Sequence, residues 1–294
     1  MSPFPYRTTV YVHGAGQQEH PLLLKRRLDG LIFGAAQGDR TVVGYYSHIL
    51  HGLPADPVAL EGARPDPIAI AANSSATQAD VVAAIAGSTS GGLESSNRRV
   101  AMAHAFVERA DEVAAAETGP QRALEGVRFP DRGFRIVVAI VARDVIKYLF
   151  DGYGEACRDQ VRAAIRGASD PTLVVAHSLG SVVTFDVLSE RDFSGREVYL
   201  VTLGSPLGIE NVQDELRGPG GPPHPIPGPV RSWANLADDG DPVAIRQVLA
   251  PEYRQNTYAF DIVDDLTVDN SGFLNHELTG YLVIDAVRRA IRVP

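Results

Sequence analysis

Thr172-Leu-Val-Val-Ala176-His177-Ser178-Leu179-Gly180-Ser181 runs directly into Val182-Val-Thr-Phe-Asp-Val-Leu188. Thr172–Ala176 is a continuous apolar run, as expected of a strand buried on both faces. Three residues after Ala176 the pattern becomes that of a helix, Leu179–Glu190. A Ser at the tip of so tight a strand-to-helix turn projects its hydroxyl above the sheet. Ala176 and Gly180, two places before and two after it, are small enough to let strand and helix pass closely. The plainer alternative is an ordinary junction in which Ser178 only caps the helix.

Outward from this unit, β and α patterns alternate. Strands are expected at Thr8–Val12, Thr41–Tyr46, Glu197–Leu203, Ser232–Leu236 and Tyr258–Val263, and helices at Pro21–Leu31, Ile136–Phe150, Glu155–Arg166 and Asn275–Arg292. The fold class expected is α/β, a mostly parallel central sheet flanked by helices. One domain over residues 1–294 explains the pattern, with residues 47–135 as a helical cap-like insertion. Within it, Ala71–Ile85 and Met102–Ala116 are read either as apolar faces offered to an acyl chain or as plain helix packing. In Gly218–Val230 ten of thirteen residues are Gly or Pro, so this stretch is expected as a surface loop.

The turn Ala176-His177-Ser178-Leu179-Gly180 resembles the nucleophile elbow of the α/β-hydrolase superfamily, and the chain is similar to its lipase and esterase branch. The usual first Gly of that pattern is Ala176 here. The resemblance implies a serine esterase with the chain order nucleophile, acid, base. Of the eight histidines only His224 and His276 follow Ser178. His224 lies in the Pro/Gly stretch, so the base is His276, placed at the start of the final helix. Asn275-His276-Glu277-Leu278-Thr279-Gly280-Tyr281 is similar to the corresponding lipase segment. The acid is expected after the strand containing Trp233. Asp241, followed by Pro242-Val243, is the choice and Asp238 the reserve; Asp239 is read as solvated.

Acyl transfer also needs donors for the developing oxyanion. The resemblance places one on the Leu179 amide. The other falls on the Ala15 amide within Val12-His13-Gly14-Ala15-Gly16, which is similar to the His-Gly loop of lipases. His13, Gly14, Gly16, His177 and Gly180 are expected to support the site. A dinucleotide fingerprint competes for the same glycines, but its third Gly position is Glu19, whose charge would repel a pyrophosphate. Gly204-Ser205-Pro206-Leu207-Gly208 fails as a rival elbow because Pro206 has no N–H to offer; it is expected to shape the pocket. Asp144-Val-Ile-Lys-Tyr148 is read as a helix face packing near the sheet.

The rest of the sequence limits partners. With 27 Lys and Arg against 36 Asp and Glu the net charge is −9, which disfavours nucleic acid. Only Lys25 and Lys147 are lysines, an Arg bias suggesting a bacterial source. The single cysteine, Cys157, cannot form an internal disulfide. No export signal or long apolar run is visible, so a cytoplasmic protein without stable membrane insertion is expected. No metal-ligand spacing or cofactor motif is present. The expected activity is hydrolysis of a small ester or lipid-like substrate with an apolar acyl group. Thioesterase, peptidase or acyltransferase chemistry, or a non-catalytic binding protein of the same fold, are the alternatives.

Overall fold

A computed structural model describes residues 5–52, 78–86, 93–117, 131–244, 248–271 and 275–292. Its strands are β1 (Thr8–Val12), β2 (Thr41–Gly44), β3 (Thr172–His177), β4 (Val198–Leu203), β5 (His224–Pro225), β6 (Val230–Leu236), β7 (Tyr253–Arg254) and β8 (Val263–Asp265). Six form one all-parallel sheet in the order β2-β1-β3-β4-β6-β8, and β5 pairs with β7 in a separate two-residue ladder. The helices are α1 (Pro21–Phe33), α2 (Ser47–His51), α3 (Gln78–Ala86), α4 (Leu93–Glu117), α5 (Asp131–Phe150), α6 (Gly154–Gly167), α7 (Leu179–Leu188), α8 (Glu210–Gln213), α9 (Leu278–Leu282) and α10 (Asp285–Arg292).

Helices cover both faces of the sheet, which is why its central strands read as unbroken apolar runs. Side chains alternate between two cores. Val10, Val12, Val174, Ala176, Leu200 and Trp233 face α5, α6 and α7. Tyr11, Leu173, Val175, Val201 and Leu203 face α1, α9 and α10. Each fully buried aliphatic side chain contributes roughly 1.5–3 kcal/mol to holding these layers together.

The chain passes from β1 outward to β2, then crosses back over β1 to β3 and continues in the opposite direction. In open α/β sheets the crevice beyond the strand carboxyl ends at such a reversal is where ligands bind. Here it lies between β1 and β3, whose following residues are His13–Gly16 and Ser178.

Several expectations differ from the structure: α5 starts at Asp131 instead of Ile136 and β6 at Val230 instead of Ser232. β2 stops at Gly44 instead of Tyr46, because the Tyr46 amide leaves the ladder and donates to His13 Nε2 at 3.0 Å. The strand expected at Tyr258–Val263 lies instead at Val263–Asp265; the chain turns at Ala259, with φ +51°, and Tyr258 lies under the Arg231 guanidinium. The Pro/Gly stretch 218–230 is not wholly surface, since His224, Ile226 and Val230 are buried and β5 ties it to β7. The final helix is two helices, and His276 precedes the first of them. Of the insertion, residues 53–77, 87–92 and 118–130 fall outside the described residues. The described parts are α2 against the loop after β1, and α3 and α4, which pack on each other and on α5.

Candidate active site

Every candidate residue lies at, or in the segment following, the carboxyl end of a parallel strand. Ser178 follows β3 with φ 51° and ψ −129°. A non-glycine residue with positive φ costs of order 1–3 kcal/mol, and such strain persists where surrounding structure imposes it. The imposing contacts are visible. The Ser178 carbonyl accepts the Ser181 amide at 2.9 Å and the Ser181 hydroxyl at 2.6 Å, and the Ser178 amide donates to the Leu203 carbonyl at 3.0 Å. Ser205 Oγ lies 2.7 Å from Ser181 Oγ and accepts the Leu207 amide. A Cβ on Gly180 would overlap the His13 carbonyl oxygen, so only glycine lets α7 start against β1.

His276 Nε2 lies 2.9 Å from Ser178 Oγ, and His276 Nδ1 lies 2.9 and 2.8 Å from the two Asp241 oxygens. With a carboxylate beside Nδ1, that nitrogen carries the proton and Nε2 presents its lone pair to the Ser178 hydroxyl. Asp241 Oδ1 also accepts the amides of Val243 at 2.8 Å and Ala244 at 3.3 Å, and Oδ2 accepts the Tyr281 hydroxyl at 2.6 Å. Burial pushes the Asp241 pKa up, but the neighbouring His276 ring and these donors prevail and hold it below the usual carboxylate value.

The reserve acid has another role. Asp238 Oδ1 accepts the Gly240 amide at 2.7 Å and the Asn275 side chain at 3.0 Å, while Oδ2 accepts the Asn270 amide at 2.5 Å. Asn270 Nδ2 in turn donates to the carbonyls of Asn275 and Glu277, on either side of His276. Asn275 has φ +57°, so Asp238 and Asn270 hold the strained backbone that presents the imidazole. Burial raises the Asp238 pKa.

Gly204 at the end of β4, with φ +53°, fits the same corner. A Cβ there would sit 2.6 Å from Asp241 Oδ2 and 3.1 Å from His276 Nδ1. The pocket-shaping expected of this segment is therefore specific: its first glycine makes room for the acid and the base.

Above the nucleophile lies the loop after β1. A Cβ on Gly14 would fall 2.8 Å from Ser178 Cβ and 2.6 Å from His177 Nδ1. His13 Nε2 accepts the amides of Tyr46 at 3.0 Å and Ser47 at 3.2 Å, so its proton is on Nδ1, which donates to the Gly14 carbonyl at 2.8 Å. Burial lowers the His13 pKa to about 4. His177 donates from Nε2 to the His276 carbonyl at 2.8 Å, and burial, aided by His276, lowers its pKa to about 3. Both rings are neutral supports. Leu179 opens α7 immediately after Ser178, and Ala15 sits half-buried beside Gly14.

All eleven site residues expected from the sequence thus lie at the carboxyl ends of β1, β3, β6 and β8, with Asp238 beside the His276 loop instead of on the His276 ring. The sequence reading did not single out Asn270, placed Tyr281 only within the segment around His276, and took Ser205 only as part of a rejected elbow that shapes the pocket. Cys157 is buried, and burial raises its thiol pKa to about 12. Among the described residues no helix is long and apolar enough to cross a membrane, and no group of three His, Cys, Asp or Glu could hold a metal ion. No protein-family model, curated protein or solved structure matches the chain.

Proposed function

We propose that the protein is a serine hydrolase of carboxylic esters with an α/β-hydrolase-like fold. One observation carries this reading: the unbroken line Asp241, His276, Ser178, with contacts of 2.8 and 2.9 Å, on a serine whose backbone is held in a strained turn. A serine hydroxyl is a poor nucleophile at neutral pH, and an oriented imidazole is the group that activates it.

In the proposed reaction Ser178 Oγ attacks the ester carbonyl carbon as its proton passes to His276 Nε2, and the carbonyl electron pair moves to oxygen. The amides of Leu179 and Ala15 hold that oxyanion, while Asp241 stabilises the imidazolium. Collapse expels the alcohol, which takes the proton from His276. Water, deprotonated by His276, then attacks the acyl carbon; the bond to Ser178 Oγ breaks, Oγ takes the proton back from His276, and the carboxylic acid leaves. Nothing in this sequence calls on a metal or organic cofactor.

Helices α3 and α4 are the described helical part of the proposed cap, with Val81, Ile85, Met102 and Phe106 packed into the core they share with the sheet-flanking helix α5. Ile140 of α5 reaches the donor loop, its Cγ2 lying 3.5 Å from where a Gly16 Cβ would stand. That apolar neighbour supports an apolar acyl group. The reading is tested with p-nitrophenyl esters of two to twelve acyl carbons: medium or long chains are expected to be hydrolysed fastest. A strict acetate preference refutes the apolar acyl site, and no hydrolysis of any ester refutes the esterase assignment.

A further inference from the structure

Helix α5 carries Ile140, Asp144 and Lys147 at i, i+4 and i+7, one face of the helix; the first two meet the donor loop, and Asp144 and Lys147 meet α2, which packs against that loop. Ile140 abuts Gly16. Asp144 Oδ2 accepts the Gly16 amide at 2.7 Å and faces His51 Nε2 at 2.8 Å. Lys147 donates to the Leu50 carbonyl at 2.9 Å. Asp144 is almost fully buried, whereas His51 is partly open to solvent. A buried carboxylate costs free energy unless its oxygens are satisfied, and here one oxygen is spent on a backbone amide two residues after Gly14.

This placement matters because of what lies between the anchors. His13 is fixed on its side by Tyr46 and Ser47, and its carbonyl accepts the Tyr46 hydroxyl at 2.7 Å. Gly16, with φ +83°, is fixed on the other side by Asp144. Gly14 and Gly16 leave the intervening backbone loose by nature, and the Ala15 amide is suspended between two clamps. Donors to an oxyanion act through being held in place before reaction, so a loose donor loses most of its effect.

We propose that Asp144 is a positioning residue for the reaction above: it locks the Gly16 amide so that the Ala15 N–H is aimed at the oxyanion, with His51 holding the carboxylate. The role rests on the hydrolase reading. It differs from a helix face that merely packs near the sheet, because it predicts effects confined to the donor loop and to the transition state.

The test compares wild type, Asp144→Ala and Asp144→Asn. Steady-state kinetics on p-nitrophenyl butyrate are measured beside inhibition by an alkyl trifluoromethyl ketone, to which Ser178 would add to form an oxyanion. Amide exchange at Gly16 is followed by NMR. For Asp144→Ala the expected result is a fall in kcat of about 30- to 100-fold with KM within about threefold, and ketone affinity falling in parallel with kcat. Gly16 exchange should quicken at least about tenfold while Tyr11 and Val12 in β1 stay protected. Asp144→Asn keeps an acceptor for Gly16 and should recover kcat to within about tenfold of wild type. If the alanine variant does not fold, the asparagine variant decides: its weaker neutral acceptor should lower kcat by about three- to tenfold and quicken Gly16 exchange measurably. Unchanged kcat and ketone affinity, or unchanged Gly16 exchange, in a folded variant overturns the role of Asp144 alone. A wild type that neither hydrolyses the ester nor binds the ketone overturns the hydrolase reading and this role with it.

Discussion

The Tyr281 hydroxyl donates to Oδ2 of Asp241 at 2.6 Å and accepts the Asp238 amide at 3.1 Å, so one side chain of α9 braces two of the three acidic residues of the loop after β6. Asp241 is fully buried, and a buried carboxylate with all its donors in place keeps a single orientation toward His276.

Removing that brace has a defined effect. Tyr281→Phe leaves Asp241 one donor short and the Asp238 amide without its acceptor, and losses of this kind cost about 1–3 kcal/mol. The urea midpoint is expected to fall accordingly. Ester kcat should drop by about three- to tenfold with little change in KM, because the acid stays beside His276 but is held less firmly. An unchanged midpoint in the variant would contradict this account of the loop.

The two carboxylates should part company on mutation. Asp241→Asn keeps the shape but removes the charge that fixes the His276 tautomer, and a loss in kcat of about a thousandfold or more is expected. Asp238→Asn places an amide where the Asn270 N–H donates, costing about 1–3 kcal/mol of stability and less activity than Asp241→Asn. Equal, mild losses in kcat for both would refute the assignment of the acid.

Gly204→Ala is a test of space. The added methyl would stand 2.6 Å from Asp241 Oδ2 at a backbone with φ +53°, so it must push the acid away from His276 or unfold the turn. Ester hydrolysis should fall at least about a hundredfold, since misplacement by about 1 Å is costly in such sites. Near-wild-type kcat would show that the corner is looser than its contacts require.

Stability should depend on pH in a particular window. His13 and His177 titrate near 4 and near 3 in the folded chain, against about 6.5 when unfolded. Below about 6.5 the unfolded chain therefore binds more protons, and stability falls as pH drops toward the folded values. Each histidine adds up to about 1.4 kcal/mol per pH unit to that slope. Urea unfolding between pH 7 and 4.5 should show the decline, and His177→Gln should flatten it by about one proton. An identical slope in the variant would mean that His177 is not held neutral.

The alternation of β and α segments and the parallel sheet were legible because burial on both faces leaves an unmistakable apolar run, as in Thr172–Ala176. Ser178, His276 and Asp241 were legible because each sits in a short segment of special composition. What escaped the reading depends on distant partners. Val263–Asp265 is an edge strand with Val263 exposed, so it lacks the apolar signature that the aromatic Tyr258–Phe260 mimics. The break between α9 and α10 carries no Gly or Pro. Asp238 and Asp241 have the same chemistry three residues apart, and only the fold decides which meets the imidazole. Asn270, Tyr281 and Ser205 act through hydrogen bonds to backbone, to the two acids and to Ser181, and spacing carries no trace of those.

The central claim is that His276 makes the Ser178 oxygen reactive. It is tested most directly by incubating the protein with a fluorophosphonate and following the adduct on the Ser178 peptide by mass spectrometry, in wild type and in His276→Ala. The account predicts one adduct per chain at Ser178, formed at least about a thousandfold more slowly without the imidazole. No adduct at Ser178, or equal rates in the two proteins, would contradict it.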